Sequence, residues 1–286
     1  MIITLTPNPS VDRTLHVPQL RFNEVLRAHD VRVDWGGKGF NVSRALRILN
    51  EETLALAWVG GGTGRMMQHG LNQLGIKTDF VWVEEETRIN TVAQEDSGEW
   101  YIRLNEPGPH IPEDAIQSLL AKAEAYASKK DIWVAAGSLP QDVPADFYTQ
   151  LIHLLKNKGV RVFFDANGEA LRAGLSDPPF LVNPDISEPE DFVGFSIHNY
   201  DDAKRGVLPF LRLGVEYVAL SIDGLGLLLA SQQEMMLATP PKVSIRNVTG
   251  AGDALMAGMA YGFARGMDLR EIARLGAAFS AVAVAT

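Results

Sequence analysis

Residues Asn247-Val248-Thr249-Gly250-Ala251-Gly252-Asp253 place two glycines, a small residue between them and an acid just before the apolar run Ala254-Leu255-Met256-Ala257-Gly258. At a helix start, such a segment leaves backbone N–H groups unpaired and unshielded, under the positive end of the helix dipole. That is a seat for a phosphate-like anion. Asp253 beside it could accept a proton, although an acid in the first turn favours a helix whatever its function. A second run, Trp35-Gly36-Gly37-Lys38-Gly39-Phe40-Asn41, ends a strand in three glycines around a lysine and opens a helix. It reads either as a tight turn or as a ligand-binding turn. Two phosphate-binding templates are excluded. G-x-x-x-x-G-K-[ST] fails because Arg32 stands where the first glycine is required, and no segment fits G-x-G-x-x-G.

Positioning these residues requires strands and helices in alternation. Ile2 to Thr6 is a short apolar strand ending at the turn Pro7-Asn8-Pro9. Extended pieces follow over 14–17 and 25–35, the second with period-2 alternation. Further strands are predicted over 54–59, 80–83, 132–136, 160–165, 180–182, 217–221 and 227–229. Helices are predicted over 41–46, 112–129, 144–157, 252–265 and 269–285, with another running from the glycine run at 60–64 to Leu74. Residues 88–94 and 99–104 form a hairpin around Asp96-Ser97-Gly98, polar on alternate positions as suits an exposed flap. Strands separated by helices predict a mostly parallel sheet covered on both faces. Residues 11–36 and 87–106 add a small β layer.

The 286 residues are 46% hydrophobic and 21% charged, which excludes a disordered or fibrous chain. With no cysteine there is no disulfide framework, thiolate metal site or cysteine nucleophile. A net charge of −9 argues against nucleic-acid binding, so a phosphorylated ligand needs a local cluster of cations. The start of the chain lacks the pattern of a signal peptide, and no apolar run suits a membrane span. The cytoplasm is the expected compartment. The six histidines show no metal-ligand spacing and receive no role.

Gly36-Gly37-Lys38-Gly39 with Asn41 and Ser43, together with Asn247 to Asp253, resembles the paired signature of the PfkB carbohydrate kinases. Thr6-Pro7-Asn8-Pro9-Ser10-Val11-Asp12, Leu104 to Pro109 and Gly137-Ser138-Leu139-Pro140 are similar to the branch acting on phosphosugars, 1-phosphofructokinase and tagatose-6-phosphate kinase among them. The resemblance implies a ribokinase-like three-layer α/β/α sandwich with a β lid. Residues 1–10, 37–86 and 107–286 would form the nucleotide-binding domain, and 11–36 with 87–106 the lid. It implies transfer of the ATP γ-phosphoryl group to a sugar hydroxyl with Mg²⁺. Asp253 would be the catalytic base, ionised at neutral pH by the ordinary aspartate pKa of about 3.9. Gly250, Ala251 and Gly252 would stabilise the migrating charge with their N–H groups. Asp12, Gly36, Gly37 and Asn41 would meet the sugar. Arg27, Lys38, Arg88 and Arg103 on the lid, with Ser138, would meet the phosphate it already carries. For Arg27 and Arg103 a solvated strand face is the alternative.

The resemblance also assigns Asn183, Ser221, Gly226, Gly250 and Gly252 to the nucleotide, and Asp185 and Glu188 to the metal. Here the chain departs from the family pattern. Asn183 stands for the usual lysine and Asp185 for the usual asparagine, while Glu188 is retained. An extra carboxylate predicts tight Mg²⁺ dependence or a weak ATP KM. Asp223 replaces a usual glycine, and the chain ends at Thr286, where relatives continue toward the adenine pocket. The expected acceptor is fructose 1-phosphate or tagatose 6-phosphate. Fructose 6-phosphate, an unphosphorylated sugar or nucleoside, and a catalytically weak sugar-phosphate binding protein are the alternatives. The exposed lid edges make a homodimer an expectation.

Overall fold

Strands buried along nearly their whole length must be covered on both faces, and the chain supplies several. In the computed structural model, which describes residues 1–222, 225–244 and 250–285, the first half comprises β1 (Ile2–Thr6), β2 (Ser10–Val17), β3 (Asp30–Gly36), α1 (Lys38–Ile48), β4 (Thr53–Gly60) and α2 (Gly61–Gln73). Next come β5 (Lys77–Thr78), β6 (Val81–Val83), β7 (Ile89–Glu95), β8 (Tyr101–Leu104), α3 (Glu113–Tyr126), β9 (Ile132–Ala136) and α4 (Phe147–Asn157). The second half contains β10 (Arg161–Asp165), α5 (Gly168–Gly174), β11 (Leu181–Val182), α6 (Ser187–Val193) and α7 (Tyr200–Arg212). It closes with β12 (Tyr217–Ile222), β13 (Gly226–Ala230), β14 (Met235–Ala238), α8 (Ala251–Ala264) and α9 (Leu269–Ala285).

The large sheet runs β14-β13-β12-β11-β10-β9-β1-β4-β5, with β6 pairing on β4. Its pairs from β12 to β5 are parallel, and the β12-β13-β14 edge is antiparallel. Because side chains alternate along a strand, each strand feeds two cores. Ile3, Leu5, Trp133 and Phe164 pack on one face with Leu119, Leu151 and Phe210 from α3, α4 and α7. Ile2, Val134 and Phe163 pack on the other with Leu46, Met256 and Ile272 from α1, α8 and α9. The fold is therefore the α/β sandwich expected from the sequence, with helices covering both faces of a mostly parallel sheet.

A second sheet, β3-β2-β7-β8, stands apart from the first. Its β2-β7 pair is parallel, and its outer pairs are antiparallel. Val11 of β2 joins a third apolar cluster with Phe40 of α1, Val59 of β4 and Met67 of α2, which seats this sheet on the sandwich. In parallel sheets, ligands bind outside the carboxyl ends of the strands. At that edge lie Thr6, Gly137 and Asp165, together with the first turns of α1 and α8.

Candidate active site

The glycine-lysine turn sends its cation inward. Lys38 opens α1, and its Nζ lies 2.5 Å from Oδ1 of Asp165, which ends β10. The Asp165 side chain is only 3% exposed. Asn183, just past β11, donates its Nδ2 hydrogen to the other oxygen, Asp165 Oδ2, at 3.3 Å. One turn along α1, Asn41 donates from Nδ2 to Asp253 Oδ2 at 2.7 Å. The two glycine-rich runs, 212 residues apart at these side chains, thus meet at one hydrogen bond.

Asp253 lies in the first turn of α8, 6% exposed. Gly250, at φ 81°, turns the chain into that helix through the left-handed region, which glycine enters without a steric penalty. The Ala254 N–H is donated to the Gly250 carbonyl at 2.9 Å, so the ladder begins there. The N–H groups of Ala251 and Gly252 therefore lie in the open first turn.

Burial pushes the Asp253 carboxyl up from 3.8 to about 7, and the nearby Asp165 charge pushes the same way. The Asn41 hydrogen bond and Lys38 oppose these effects, while Asp185 adds to them. For Lys38, burial favours the neutral form. The charges of Asp165, Asp253 and Asp185 outweigh it, so the ammonium is held above its ordinary range. Asp253 is therefore not the ordinary, permanently ionised carboxylate expected from the sequence. It is an acid poised to exchange a proton near neutrality, the range in which a general base works best.

On the second sheet, Asp12 of β2 accepts a hydrogen bond at Oδ1 from Ser10 Oγ at 2.6 Å and another from Asn90 Nδ2 at 3.0 Å. A side chain on Gly36 would collide with Asp12 Oδ2. The absence of a Cβ there lets the acid lie over the turn that leads to Lys38.

The family model for "pfkB family carbohydrate kinase" matches residues 7–286. The chain belongs to that family. It is a phosphotransferase with an alcohol group as acceptor, in a family that uses ATP with a divalent metal. A 1-phosphofructokinase of Bacillus subtilis is 34% identical over 96% of this chain and 90% of its own length. Phosphofructokinase-2 from Escherichia coli in complex with fructose-6-phosphate superposes with a TM-score of 0.93 at 29% identity, covering 99% of this chain and 93% of that one. The tetrameric inhibited form of the same enzyme matches with the same score, identity and coverage.

In this pfkB kinase, Lys38, Asn41, Asn183, Gly252 and Asp253 come together, and Asp185 acts on Lys38 and Asp253 through its charge. Lys38 is not on the lid. It heads a helix of the sandwich, where Asp165 neutralises it. Gly37 precedes it as the N-terminal residue flanking α1. Arg88 does sit at the base of the second sheet, but its guanidinium is committed. It donates to the main-chain oxygens of Asn8 at 2.8 Å, Glu106 at 3.0 Å and Pro9 at 3.4 Å. Arg27 and Arg103 are exposed. Ser138 is exposed just beyond β9, beside the Asp165 strand end.

Ser221 pairs with Leu227 and Ile222 with Gly226 at the end of the β12-β13 ladder, and Gly226, at φ 116°, is pressed against the Ala238 carbonyl, a packing duty. Asp223, Asn247 to Thr249 and Thr286 lie outside the described residues. Glu188 is buried, and both its oxygens accept backbone N–H groups, from Gly168 at 3.1 Å and Asp185 at 2.7 Å. Among the described residues, no three His, Asp or Glu side chains form a direct metal cage. The carboxylates nevertheless outnumber the lysine they surround, and among the described residues the buried Asn183 Oδ1 has no hydrogen-bond partner. Such donors fit a cation that retains its water shell. Asp165, Ser10 and Asn90 are site residues that the sequence reading passed over. For Asp165, the signal was an acid at the carboxyl end of a buried parallel strand.

Proposed function

We propose that this chain phosphorylates a hydroxyl of a ketohexose phosphate, fructose 1-phosphate or tagatose 6-phosphate, with Asp253 as the base. The observation that carries the reading is the buried Asp253, held by Asn41 at the open end of α8 with its pKa raised to about 7. Bound ATP would supply the phosphoryl group, and Asp185, Glu188 and Asn183 would hold the Mg²⁺ that offsets the charge of its phosphates. The chain's own residues do the rest. Asp12 orients the sugar by accepting from its hydroxyls. Asp253 takes the proton of the attacking hydroxyl, and Asn41 fixes the orientation of its carboxylate. The N–H groups of Ala251 and Gly252 donate to the oxygens of the transferring group. Lys38 keeps a positive charge beside the site and is itself held in place by Asp165.

The acceptor's own phosphate falls to the remaining donors of Arg88 and to Ser138, with Arg27 and Arg103 joining from the lid. Similarity to a 1-phosphofructokinase supports fructose 1-phosphate as the first acceptor to test. The lid exposes Phe22, Val25, Val31 and Val33, which supports pairing with a second copy through this sheet. Sedimentation of the wild type against a Val31→Asp variant tests that pairing. Release of ADP is then measured across hexose phosphates with free hexoses as controls. Turnover confined to ketohexose phosphates is expected, and equal turnover of free sugars would overturn the reading.

A further inference from the structure

Among the described residues, Asp12 on the second sheet has one oxygen engaged in hydrogen bonds and the other without a partner. On β2, Ser10 and Asp12 share a face because strand side chains alternate. Across the parallel pair, Asn90 of β7 stands in register with Asp12, and across the antiparallel pair so does Asp34 of β3. Two carboxylates at facing positions repel. Asp34 is turned to its own cations, Arg32 Nε at 2.8 Å and Arg44 at 3.7 Å.

The amide of Asn90 completes the arrangement. Its Nδ2 donates to Asp12 Oδ1 at 3.0 Å and lies 2.9 Å from Ser10 Oγ, while its Oδ1 accepts the Glu106 N–H at 3.3 Å. Ser10 Oγ gives its own hydrogen to the same Asp12 oxygen at 2.6 Å. Oδ1 is thus saturated, and Oδ2 faces the bare Gly36 at the mouth of the glycine-lysine turn.

We propose that Asn90 is a positioning residue for acceptor recognition: it locks Asp12 so that Oδ2 alone is presented to a sugar hydroxyl. It also ties that acid to the 105–107 loop through Glu106, and so to Arg88, whose guanidinium donates to the Glu106 carbonyl. The assignment rests on the proposed sugar-phosphate reading and adds to it a residue that fixes the recognising oxygen before the sugar arrives. Pre-orienting a charged acceptor in this way lowers the ordering cost of binding.

The test is steady-state kinetics of the full chain with fructose 1-phosphate and tagatose 6-phosphate, for Asn90→Ala, Asn90→Asp, Asp12→Asn and the double variant Asp12→Asn/Asn90→Ala. Losing a hydrogen bond to a charged group corresponds to roughly a tenfold loss in binding or more. The KM for the sugar phosphate is expected to rise about tenfold in Asn90→Ala, with the KM for ATP changed by less than about twofold. Asn90→Asp keeps the shape but loses the donors, so it should raise the sugar KM at least as much, and it gives a reading should the alanine variant fold poorly. In the Asp12→Asn background, Asn90→Ala should add little, because both changes act through one oxygen. Full additivity, or a sugar KM within about twofold of wild type in an active Asn90 variant, overturns the assignment of Asn90 alone. A wild type that turns over no hexose phosphate overturns the sugar-phosphate reading and this assignment together.

Discussion

Replacing Asp253 by Asn removes the ionisable group while keeping the acceptor that Asn41 needs, and it should separate catalysis from stability. Turnover is expected to fall at least about a hundredfold, the lower end of what a general base contributes, or roughly 3 kcal/mol of barrier. Stability should move the other way. The carboxyl sits at 3.8 when unperturbed and at about 7 in the fold. Between those values the folded chain binds a proton that the unfolded chain has released. The stability contributed by protonation is therefore complete below about pH 3.8, is lost as pH rises through about 7, and is absent above it. A difference of about 3 in pKa, at ~1.4 kcal/mol for each, sets a ceiling of about 4 kcal/mol. Asn mimics the neutral carboxyl, so the variant should be more stable than wild type by up to that amount at about pH 8. The advantage should shrink by roughly 1.4 kcal/mol for every pH unit below 7. Urea unfolding of both proteins at about pH 8 and about pH 5, without nucleotide, measures this. A variant that is less stable at both pH values would refute the argument that burial and Asp165 strain the ionised acid.

Three other outcomes follow from the same geometry. Asp165→Asn removes the charge that, next to burial, raises the Asp253 pKa, so the pH midpoint of turnover should move below that of wild type; an unchanged midpoint counts against the electrostatic link. Arg88→Ala frees three main-chain oxygens and removes a cation near Asp12, and should raise the KM for the phosphosugar about tenfold or more while that for ATP stays within about threefold; equal effects on both substrates contradict it. Gly258→Ala on α8 would set a methyl 2.8 Å from the Leu275 carbonyl of α9. Because main chain cannot yield as a side chain can, unfolding in urea should show a loss of about 1–3 kcal/mol, and a change under about 0.5 kcal/mol would show that the two helices have room to part.

Much of the scaffold was legible because the parallel strands are continuous apolar runs and the closing helices are apolar for more than three turns. The strand predicted over 132–136 is β9, and the helix predicted over 269–285 is α9. Between Gly168 and Arg212 the strand predicted over 180–182 matches β11, but the three helices there carry no readable signal. There α5 and α6 are seven residues each, Pro189 sits within α6, and α7 carries Pro209 in its interior, so the 3.6-residue rhythm never repeats long enough to register. The two-residue β5 is equally silent, since its apolar cover comes from other elements.

At the site, the glycine-rich runs announced themselves by composition, whereas Asp165 did not. An acid after a buried strand acquires meaning only when Lys38, 127 residues away, lies against it. The same holds for the raised Asp253 pKa. Its causes are burial and a neighbour's charge, both tertiary, so the ordinary aspartate value was the only one the sequence could suggest. Lys38 looked like a lid cation because the turn that carries it follows a lid strand, yet the helix it opens points the ammonium into the sandwich.

The central claim is that a buried carboxylate with a pKa near neutrality removes the acceptor's proton. The pH dependence of kcat/KM for the phosphosugar, at saturating ATP and metal, tests it most directly. A tenfold rise for each pH unit up to a bend near 7, then a plateau, is the expected profile, with the bend absent in Asp253→Asn. A wild-type profile that stays level from about pH 5 to about pH 9 would contradict it.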